Sequence, residues 1–541
     1  MTKAEYDYII VGAGSAGCVL ANRLSESGKH RVLLLEAGGR DRNIWIHIPI
    51  GFGRTFFDRN INWLFETEPQ RHMGGRRIGA PRGRVLGGSS AINGLLYIRG
   101  QRDDYDEWRD LGNAGWGYED VLPYFKRAED QQRGADAYHG AGGTLPVSDL
   151  PESHPLSEAF VAAGQKVGYR FNPDFNGKEQ EGFGYFQATV KRGLRYSSAK
   201  AYLGSAKGRS NLRVETNAHV SRILFQDRRA VGVAYLQGGR RVEAVARAEV
   251  ILSAGAFQSP QILQLSGIGP AALLQRHGIE VLQDSPVGEN LQDHLQTRMI
   301  YETREPITLN DDMMSLFRQA RMGLRYALFR KGPLGWWAGL AGAFLRTGPE
   351  VSRPDLQLGI YPFSTDRKDG PHLHKFSGFT VSVCQLRPGS RGTVQIRSAD
   401  PMDAPLIDPR YLSDPLDAQI LVRGVKIARQ VLASEPMAGL VRQPRDPAAS
   451  LRTDEQLLDY VRAKTFSVYH PVGTCRMGQG ANAVVDERLR VRGVSGLRVV
   501  DASIMPKLIS GNTNAPAMMI GEKGAELILE DGALSNESAT A

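Results

Sequence analysis

Short apolar runs enclose one helical pattern in the first forty residues of the chain. Residues 8–11 form an apolar run of the kind that is buried in a parallel sheet. Apolar positions recur with helical spacing over residues 15–25, and a second apolar run covers residues 32–35. The pattern predicts a strand, a tight turn, a helix and a second strand of the same parallel sheet.

Three glycines, Gly12, Gly14 and Gly17, occupy the predicted turn with the spacing G-x-G-x-x-G. Gly12 permits the turn, Gly14 lets a pyrophosphate approach the backbone, and Gly17 lets the helix pack closely on the strand. Glu36 ends the second apolar run, nineteen residues after Gly17. A strand, a helix, a second strand and an acid in this order are typical of a dinucleotide site.

The free N–H groups at the start of this helix, around Ser15 and Ala16, attract phosphate. Glu36, with Ala37 beside it, can hold ribose hydroxyl groups. A glycine-rich turn without any ligand is the alternative, and the complete strand–helix–strand context disfavours it. The motif predicts a bound dinucleotide and leaves FAD and NAD open.

A second glycine-rich segment covers residues 81–100, "PRGRVLGGSSAINGLLYIRG". Gly87 and Gly88 allow the backbone to approach a phosphate or a ring, and Ser89 or its neighbour is placed to cap an apolar helix. Within that apolar run, Asn93 and Gly94 would let a flat ring lie against the backbone. The segment predicts a second cofactor contact, with a purely structural loop as the alternative.

The composition is that of an ordinary globular protein of 541 residues, 41% hydrophobic and 23% charged. This length exceeds what one core usually supports, so two domains are expected. The net charge is +9, but no basic run carries interleaved aromatic residues, so no nucleic-acid partner is expected. A solvated surface explains the charge best, and peripheral contact with an anionic membrane stays open.

Cysteine usage and the absence of long apolar stretches bear on the cellular compartment. Cys18, Cys384 and Cys475 are far apart, which does not suit a disulfide framework. No stretch approaches the ~20 apolar residues of a membrane span, and the first residues show no signal-peptide pattern. We expect a cytoplasmic protein, with contact at the inner face of the cell membrane left open.

Two later segments allow local predictions. In "GAFQSPQILQLSGIG" (255–269), which follows an apolar strand at residues 250–252, Ser259 and Pro260 are placed to cap and begin a helix. In "FTVSVCQLRPGSRGTVQIRS" (379–398), two alternating runs about a Pro-Gly-Ser turn predict a hairpin.

Six motifs, in order along the chain, resemble those of the glucose–methanol–choline family of flavin-dependent oxidoreductases. They are "GRVLGGSSAINGLLYIRG" (83–100), "GAFQSPQILQLSGIG" (255–269), "NLQDH" (290–294), "HPVGTCRMG" (470–478), "GLRVVDASIMP" (496–506) and "GNTNAPAMMIGEKGAELIL" (511–529). The resemblance extends from about residue 6 to residue 529. Within the family, the chain is similar to the choline-dehydrogenase-like and aliphatic alcohol dehydrogenase type.

The resemblance implies an α/β fold, in part α+β, with two domains. A Rossmann-like FAD-binding domain, discontinuous in sequence, would comprise residues 1–158, 203–298 and 462–541. Residues 159–202 and 299–461 would form a substrate domain with an antiparallel sheet covered by helices. Some members bind flavin covalently through a histidine in the first motif; here Ile92 stands at that place, so non-covalent FAD is expected.

His470 can be a metal ligand, the partner of a nucleophilic Cys475, a buried structural histidine or a base. A zinc site lacks further ligands at suitable spacing, and a Cys–His pair needs no dinucleotide fold. Alcohol oxidation requires a base because an alkoxide donates hydride more readily than a neutral alcohol, and histidine titrates near neutrality. The resemblance assigns this role to His470 and places Asn512 beside it as an amide that holds the substrate oxygen.

The resemblance also implies further contacts with the flavin. It places the start of the last helix, at Asn514, near the flavin pyrimidine, and Asp501 and Ala502 along the ribityl chain and ring edge. The predicted cofactor contacts are completed by Leu95, Leu96 and Val220. The motif that contains His294, "NLQDH", is interpreted as structural.

Residues 332–347, "GPLGWWAGLAGAFLRT", match the segment that carries a carboxylate in members that oxidise choline, and they contain no acid. A primary aliphatic or aromatic alcohol is therefore expected, with choline or a sorbose-type sugar alcohol as alternatives and a quinone or other electron acceptor as partner. Dehydrogenase is favoured over oxidase, and a flavin-containing hydroxynitrile-type lyase is the alternative of another class. The predicted pocket residues, with packed core as the alternative, are Trp336, Trp337, Leu340, Tyr361 and Phe363.

Overall fold

Two seven-stranded sheets form the framework of the protein. The computed structural model describes residues 5–366 and 372–540. In chain order the strands of the two sheets are β1 (Glu5–Val11), β2 (Val32–Glu36), β3 (Gly182–Tyr185), β4 (Leu212–Thr216), β5 (Ala218–Gln226), β6 (Arg229–Gln237), β7 (Arg240–Leu252), β8 (Leu295–Thr303), β9 (Ala341–Leu345), β10 (Leu356–Tyr361), β11 (Gly378–Gln385), β12 (Val441–Pro444), β13 (Phe466–Ser467) and β14 (Leu497–Val499).

The first sheet has the strand order β4-β2-β1-β7-β6-β5, with β14 paired to β7. Strands β4, β2, β1, β14 and the second half of β7 are parallel, and β5 and β6 extend the sheet in antiparallel fashion. β2 is buried along its whole length, as expected of a parallel strand covered on both faces. The predicted strand–turn–helix–strand unit is confirmed.

The second sheet has the order β12-β8-β11-β10-β9-β3, with β13 paired to β8, and all its pairs are antiparallel. Each sheet is the centre of a large buried apolar cluster. The mixed α/β architecture with an added antiparallel sheet is therefore confirmed.

Helices cover both sheets. Those of at least nine residues are α1 (Ser15–Ser25), α2 (Arg102–Asp110), α3 (Tyr118–Ala128), α4 (Pro155–Lys166), α5 (Gly255–Leu265), α6 (Leu316–Phe329), α7 (Pro415–Leu432), α8 (Asp454–Lys464) and α9 (Asn514–Thr540). α1 packs against α9 beside the first sheet, while α4 and α7 pack on the second. Within the described residues, no helix is both long and apolar enough to span a bilayer.

The predicted start of α5 is wrong. The helix begins at Gly255, four residues before Ser259, and Pro260 lies inside it. Pro260 has no N–H to donate to the carbonyl of Ala256, but Thr474 Oγ1 donates to that oxygen at 2.7 Å. A side chain from a distant segment thus replaces the missing donor, which local sequence does not reveal.

Two other local predictions are wrong. β11 pairs with β8 and β10, whereas the strand Thr393–Gln395 pairs with Leu406–Asp408, so residues 379–398 form no hairpin. The helix predicted after Ser89 is a single 3-10 turn, Gly88–Ala91. The chain beyond it is held by other backbone segments: the Tyr97 N–H donates to the Gln187 carbonyl at 2.9 Å.

Candidate active site

A large cavity lies at the carboxyl ends of β1, β2 and β7 and extends to the second sheet. Gly12, Glu36 and Ser253 line it from the ends of the three parallel strands. Gln296 on β8 and Tyr361 on β10 line it from the second sheet. Ligands of open α/β sheets bind at this edge, so the cavity is the candidate active site.

Most of the predicted site residues come together in this cavity. Its lining includes Gly12, Gly14, Ser15, Ala16, Glu36, Ala37, Gly88, Ser89, Asn93, Gly94, Leu95, Leu96, Val220, Tyr361, Phe363, His470, Asp501, Ala502, Asn512 and Asn514. Segments from the whole length of the chain therefore meet at one place, as the order of the motifs predicts.

Glycines form a backbone-lined cradle at one end of the cavity. Gly12 has a φ of +100°, and a Cβ there would lie 2.5 Å from the carbonyl oxygen of Ser253. A Cβ on Gly17 would lie 1.9 Å from the carbonyl oxygen of Gly12, so α1 packs closely on β1 as predicted. A Cβ on Gly88 would lie 2.7 Å from Cα of Gly14, so the two glycine loops touch. Side chains here would fill the space that a pyrophosphate needs.

Glu36 lines the cavity beside this cradle and is buried. Its Oε2 accepts from the Ala13 N–H at 3.0 Å, and its Oε1 accepts from the Gly38 N–H at 2.8 Å. Burial raises the pKa of Glu36 to about 7. Backbone N–H groups hold the carboxylate in place, and burial removes it from water. It therefore suits hydroxyl donors such as those of a ribose.

Two helices begin at the cavity. The first residue of α1 is Ser15, the first of α9 is Asn514, and Ser15 Oγ donates to Asn514 Oδ1 at 2.8 Å. The N-terminal N–H groups of a helix have no partner within it and carry partial positive charge. This arrangement fits a ligand with phosphate groups and with a ring that can carry negative charge.

The hydrogen bonds around His470 determine which of its ring nitrogens carries the proton. His294 Nε2 lies 2.9 Å from the Leu386 carbonyl, which can only accept, so this nitrogen is the protonated one. The Nδ1 of neutral His294 then accepts from His470 Nδ1–H at 3.0 Å. His470 therefore carries its lone pair on Nε2, to which Asn512 Nδ2 donates at 3.2 Å.

Both histidines are held neutral. Burial lowers the pKa of His294 to about 4. Burial also lowers the pKa of His470 well below its ordinary value, and the neighbouring His294 and Arg82 lower it further. A neutral imidazole with an unprotonated Nε2 in a cavity can accept a proton.

Asp293 fixes the backbone of the segment that carries His470. Its Oδ1 accepts from the His470 N–H at 2.7 Å, and its Oδ2 accepts from Tyr411 and Ser467, each at 2.5 Å. Gly473 has a φ of +90°, a left-handed conformation that glycine adopts without strain. The motif "NLQDH" thus positions His470 through both its acid and its histidine.

Aromatic side chains form the other end of the cavity. Phe52 and Phe56 line it with two predicted residues, Tyr361 and Phe363, and the rings of Phe52 and Phe363 lie 6.4 Å apart. The Arg298 guanidinium also lines this end, 5.7 Å from the Tyr361 ring centroid. Among the lining residues, the carboxylates are Glu36, at the end of β2, and Asp501, which follows β14.

Three of the predicted pocket residues, Trp336, Trp337 and Leu340, are not among those that line the cavity. Trp337 and Leu340 are fully buried and pack with Phe52 and Leu95 behind the wall. The Trp336 ring packs edge-on against the ring of His154 at 5.1 Å. The burial of Trp337 and Leu340 agrees with the packed-core alternative for these two residues.

Gly17 and Gly87, which belong to the two predicted cofactor-binding motifs, do not line the cavity and pack behind the cradle. The Gly87 N–H donates to the Ala13 carbonyl at 2.8 Å. Asp501 lines the cavity, but its carboxylate accepts from the Gly255 N–H at 2.8 Å and from Ser259 Oγ at 2.6 Å. It therefore fixes the start of α5 as well as facing a ligand.

Sequence reasoning missed several residues of the site. Arg82 lines the cavity and donates to the Tyr469 carbonyl at 2.5 Å, although it lies within the glycine-rich segment that the sequence singles out. The sequence predicts only a structural role for His294, and its contact with His470 becomes visible only in the fold. Within the described residues, no group of three or more His, Cys, Asp or Glu side chains is placed to hold a metal ion.

Comparisons with known proteins agree with this geometry. Residues 6–296 and 388–521 match the N-terminal and C-terminal parts of the family described as GMC oxidoreductase. The chain is 46% identical over 532 residues to the alcohol dehydrogenase [acceptor] of Pseudomonas putida, which covers 97% of this chain and 96% of that protein. It is 44% identical over 547 residues to the mitochondrial choline dehydrogenase of Mus musculus, over 99% and 91% of the two chains.

A solved structure, an FAD-dependent oxidoreductase from Chaetomium thermophilum, superposes with a TM-score of 0.90 and 27% identity over 98% of this chain and 100% of that one. The family match covers well over half of the sequence, and it includes both the glycine cradle and the His470–Asn512 pair. With its cradle, its paired histidines and these matches, the chain belongs to the GMC oxidoreductase family.

Proposed function

We propose that the protein is an FAD-dependent alcohol dehydrogenase that oxidises a primary alcohol to the aldehyde. The main supporting observation is a neutral His470 whose Nε2 accepts a hydrogen bond from Asn512, in a cavity that also contains the glycine cradle. The relatives support it, since one is an alcohol dehydrogenase that uses an acceptor and another is a choline dehydrogenase.

FAD would occupy the cavity lengthwise. The glycine loops and the start of α1 would hold its pyrophosphate, Glu36 its adenosine ribose, and the start of α9 its ring. Bound FAD supplies the hydride acceptor of the oxidation. The residues fit this group, because a Cβ on Gly12 or Gly88 would close the cradle and both carboxyl oxygens of Glu36 are already oriented by backbone N–H groups.

His470 and Asn512 would handle the substrate hydroxyl. Asn512 Nδ2 would donate to the alcohol oxygen, while His470 Nε2 accepts its proton. As Nε2 takes the proton, the bond from His470 Nδ1–H to His294 becomes charge-assisted and stabilises the imidazolium. Asn512 Oδ1 is buried without a hydrogen-bond partner, which leaves the amide free to adjust to a ligand.

We propose that FAD is bound non-covalently. Ile92, at the place where some members carry a linking histidine, is buried in an apolar cluster with Ala91 and Ile46. Acid precipitation of the purified yellow holoenzyme is expected to release the flavin into the supernatant and leave a colourless pellet. Flavin that remains with the pellet after denaturation and washing would contradict this.

The substrate end of the cavity favours a neutral alcohol over choline. Arg298 lies there with an aromatic wall, whereas Glu36 lies beside the glycine cradle and the Asp501 carboxylate accepts from Gly255 and Ser259. A quaternary ammonium group would meet a like charge in a partly desolvated space, which is unfavourable. An aliphatic or aromatic primary alcohol has no such penalty.

Anaerobic mixing of the holoenzyme with alcohols tests both the reaction and the substrate class. We expect 3,3-dimethylbutan-1-ol, which has the shape of choline without its charge, to bleach the flavin at least about tenfold faster than choline at equal concentration. Faster bleaching by choline would contradict the proposed substrate class. If no alcohol bleaches the flavin, the proposed oxidation itself fails and the hydroxynitrile-type lyase is favoured.

We further propose an electron acceptor, a cellular location and a division into domains. Electrons would leave to a quinone or another acceptor, which the named acceptor-dependent relative supports. A cytoplasmic location is supported by Cys18, Cys384 and Cys475, which are all free and buried. The two sheets support the proposed division into FAD-binding residues 1–158, 203–298 and 462–541 and substrate-binding residues 159–202 and 299–461. Two strands depart from it: β8 crosses position 298, and β13 pairs with the second sheet.

A further inference from the structure

Helix α6 carries an apolar surface that the protein itself does not cover. Of its fourteen residues, only Tyr326 is buried. Its leucine and phenylalanine side chains are between 61% and 83% exposed: Leu316, Phe317, Leu324, Leu328 and Phe329. Such a concentration on one helix is unusual, since exposed apolar residues are normally scattered.

Most of these side chains share one face of the helix. Leu324 follows Leu316 by eight residues and Phe317 by seven, and Leu328 follows Leu324 by four, which are the spacings of a single helical stripe. Tyr326 lies on the other side, where its hydroxyl donates to the Gly193 carbonyl at 2.7 Å. The stripe therefore faces away from the protein along a helix about 21 Å long.

The segment that carries this stripe is basic. Residues 313–349 contain five arginines, one lysine and no acidic residue. Arg321 and Arg325 are exposed beside the stripe, and Arg325 also pairs with Glu152 at 2.5 Å. An apolar face flanked by basic side chains matches a surface that is apolar inside and anionic outside.

We propose that α6 lies in the interface of an anionic phospholipid bilayer, with its leucine and phenylalanine side chains inserted among the acyl chains and its arginines at the headgroups. A second copy of this chain fits less well, because a two-fold contact through this face would bring the arginines of the two copies together. A helix with an exposed apolar stripe and basic flanks lies in the plane of the interface. Within the described residues, no helix is long and apolar enough to cross the bilayer.

This placement would bring the aromatic end of the cavity close to the membrane. The turn Pro333–Gly335, directly after α6, packs on the turn Pro49–Gly51. Phe52 and Phe56, which follow that turn, line the cavity. Apolar alcohols and quinones partition into bilayers, so the docked enzyme would face their source. The docking itself does not depend on the proposed oxidation.

Flotation of the holoenzyme with lipid vesicles tests the proposal. We expect binding to vesicles of phosphatidylcholine with phosphatidylglycerol, little binding to phosphatidylcholine alone, and release at high salt. The double variant L324E/L328E should bind at least about tenfold more weakly. Leu416→Glu, at a half-exposed leucine at the start of α7, is the matched control and should bind like the wild type.

Wild-type protein that does not float with anionic vesicles overturns the proposal, as does an equal loss of binding in Leu416→Glu. If light scattering shows a wild-type dimer that L324E/L328E converts to a monomer without altering flotation, the face is an interface between copies instead. The flavin spectrum of each variant reports folding, and flotation needs no alcohol, so this outcome is independent of the proposed function.

Discussion

Replacing His470 by alanine is expected to slow flavin reduction by an alcohol about 10²–10⁴-fold at neutral pH. The wild-type imidazole is neutral because burial lowers its pKa, and its lone pair is on Nε2 inside the cavity. Without it, the hydroxyl proton has no acceptor, so the rate depends on the rare alkoxide form of the substrate. Anaerobic stopped-flow measurement of flavin bleaching gives the rate directly.

His470→Gln is the matched control for this loss. Its amide keeps a polar group near the position of Nε2 and can still bond to Asn512, but it cannot take a proton at neutral pH. The glutamine variant should therefore bind FAD normally and be nearly as slow as the alanine variant. Recovery of most of the wild-type rate in His470→Gln would show that packing, not proton transfer, explains the loss.

Replacing His294 by leucine is expected to slow flavin reduction about 10–100-fold, although His294 itself does not line the cavity. The His470 Nδ1–H would lose its acceptor at 3.0 Å. The neutral ring could then carry its proton on Nε2 instead of Nδ1, and a protonated Nε2 cannot act as the base. This is the effect of losing the partner that fixes the tautomer. Stopped-flow bleaching measures this variant under the same conditions.

His294→Asn separates orientation from packing. Asparagine presents its amide near the position of the original Nδ1, so its oxygen can accept from His470 Nδ1–H. We expect this variant to recover most of the rate that the leucine variant loses, and thermal unfolding to show that both are folded. Equal rates in His294→Leu and the wild type would mean that the tautomer of His470 is fixed elsewhere.

The dinucleotide end of the site was predictable because its determinants are local. Gly12 needs a positive φ and Gly17 needs the absence of a side chain, and both requirements are visible as spacing within one strand–turn–helix unit. Glu36 follows from the end of the next strand. The resemblance to a family then located His470 and Asn512. They are forty-two residues apart in sequence, and 3.2 Å separates His470 Nε2 from Asn512 Nδ2.

The remaining features depend on contacts between distant segments. Pro260 lies inside a helix because Thr474 donates to the carbonyl that its ring leaves unpaired. His294 meets His470 across 176 residues. Trp337 belongs to an apolar segment that predicts either a pocket wall or a packed core, because apolar residues suit both. The exposed stripe of α6 likewise became visible only once the structure showed which face is uncovered.

The most direct measurement is the pH dependence of flavin reduction in the wild type and in His470→Ala. In the wild type the rate should be constant above neutrality and fall only below pH 6.5, the ordinary pKa of a histidine. Burial lowers the pKa of His470, and the base is lost once the ring is protonated. In the alanine variant the rate should rise about tenfold per pH unit, following the alkoxide. Parallel pH profiles in the two proteins would contradict the role of His470 as the base.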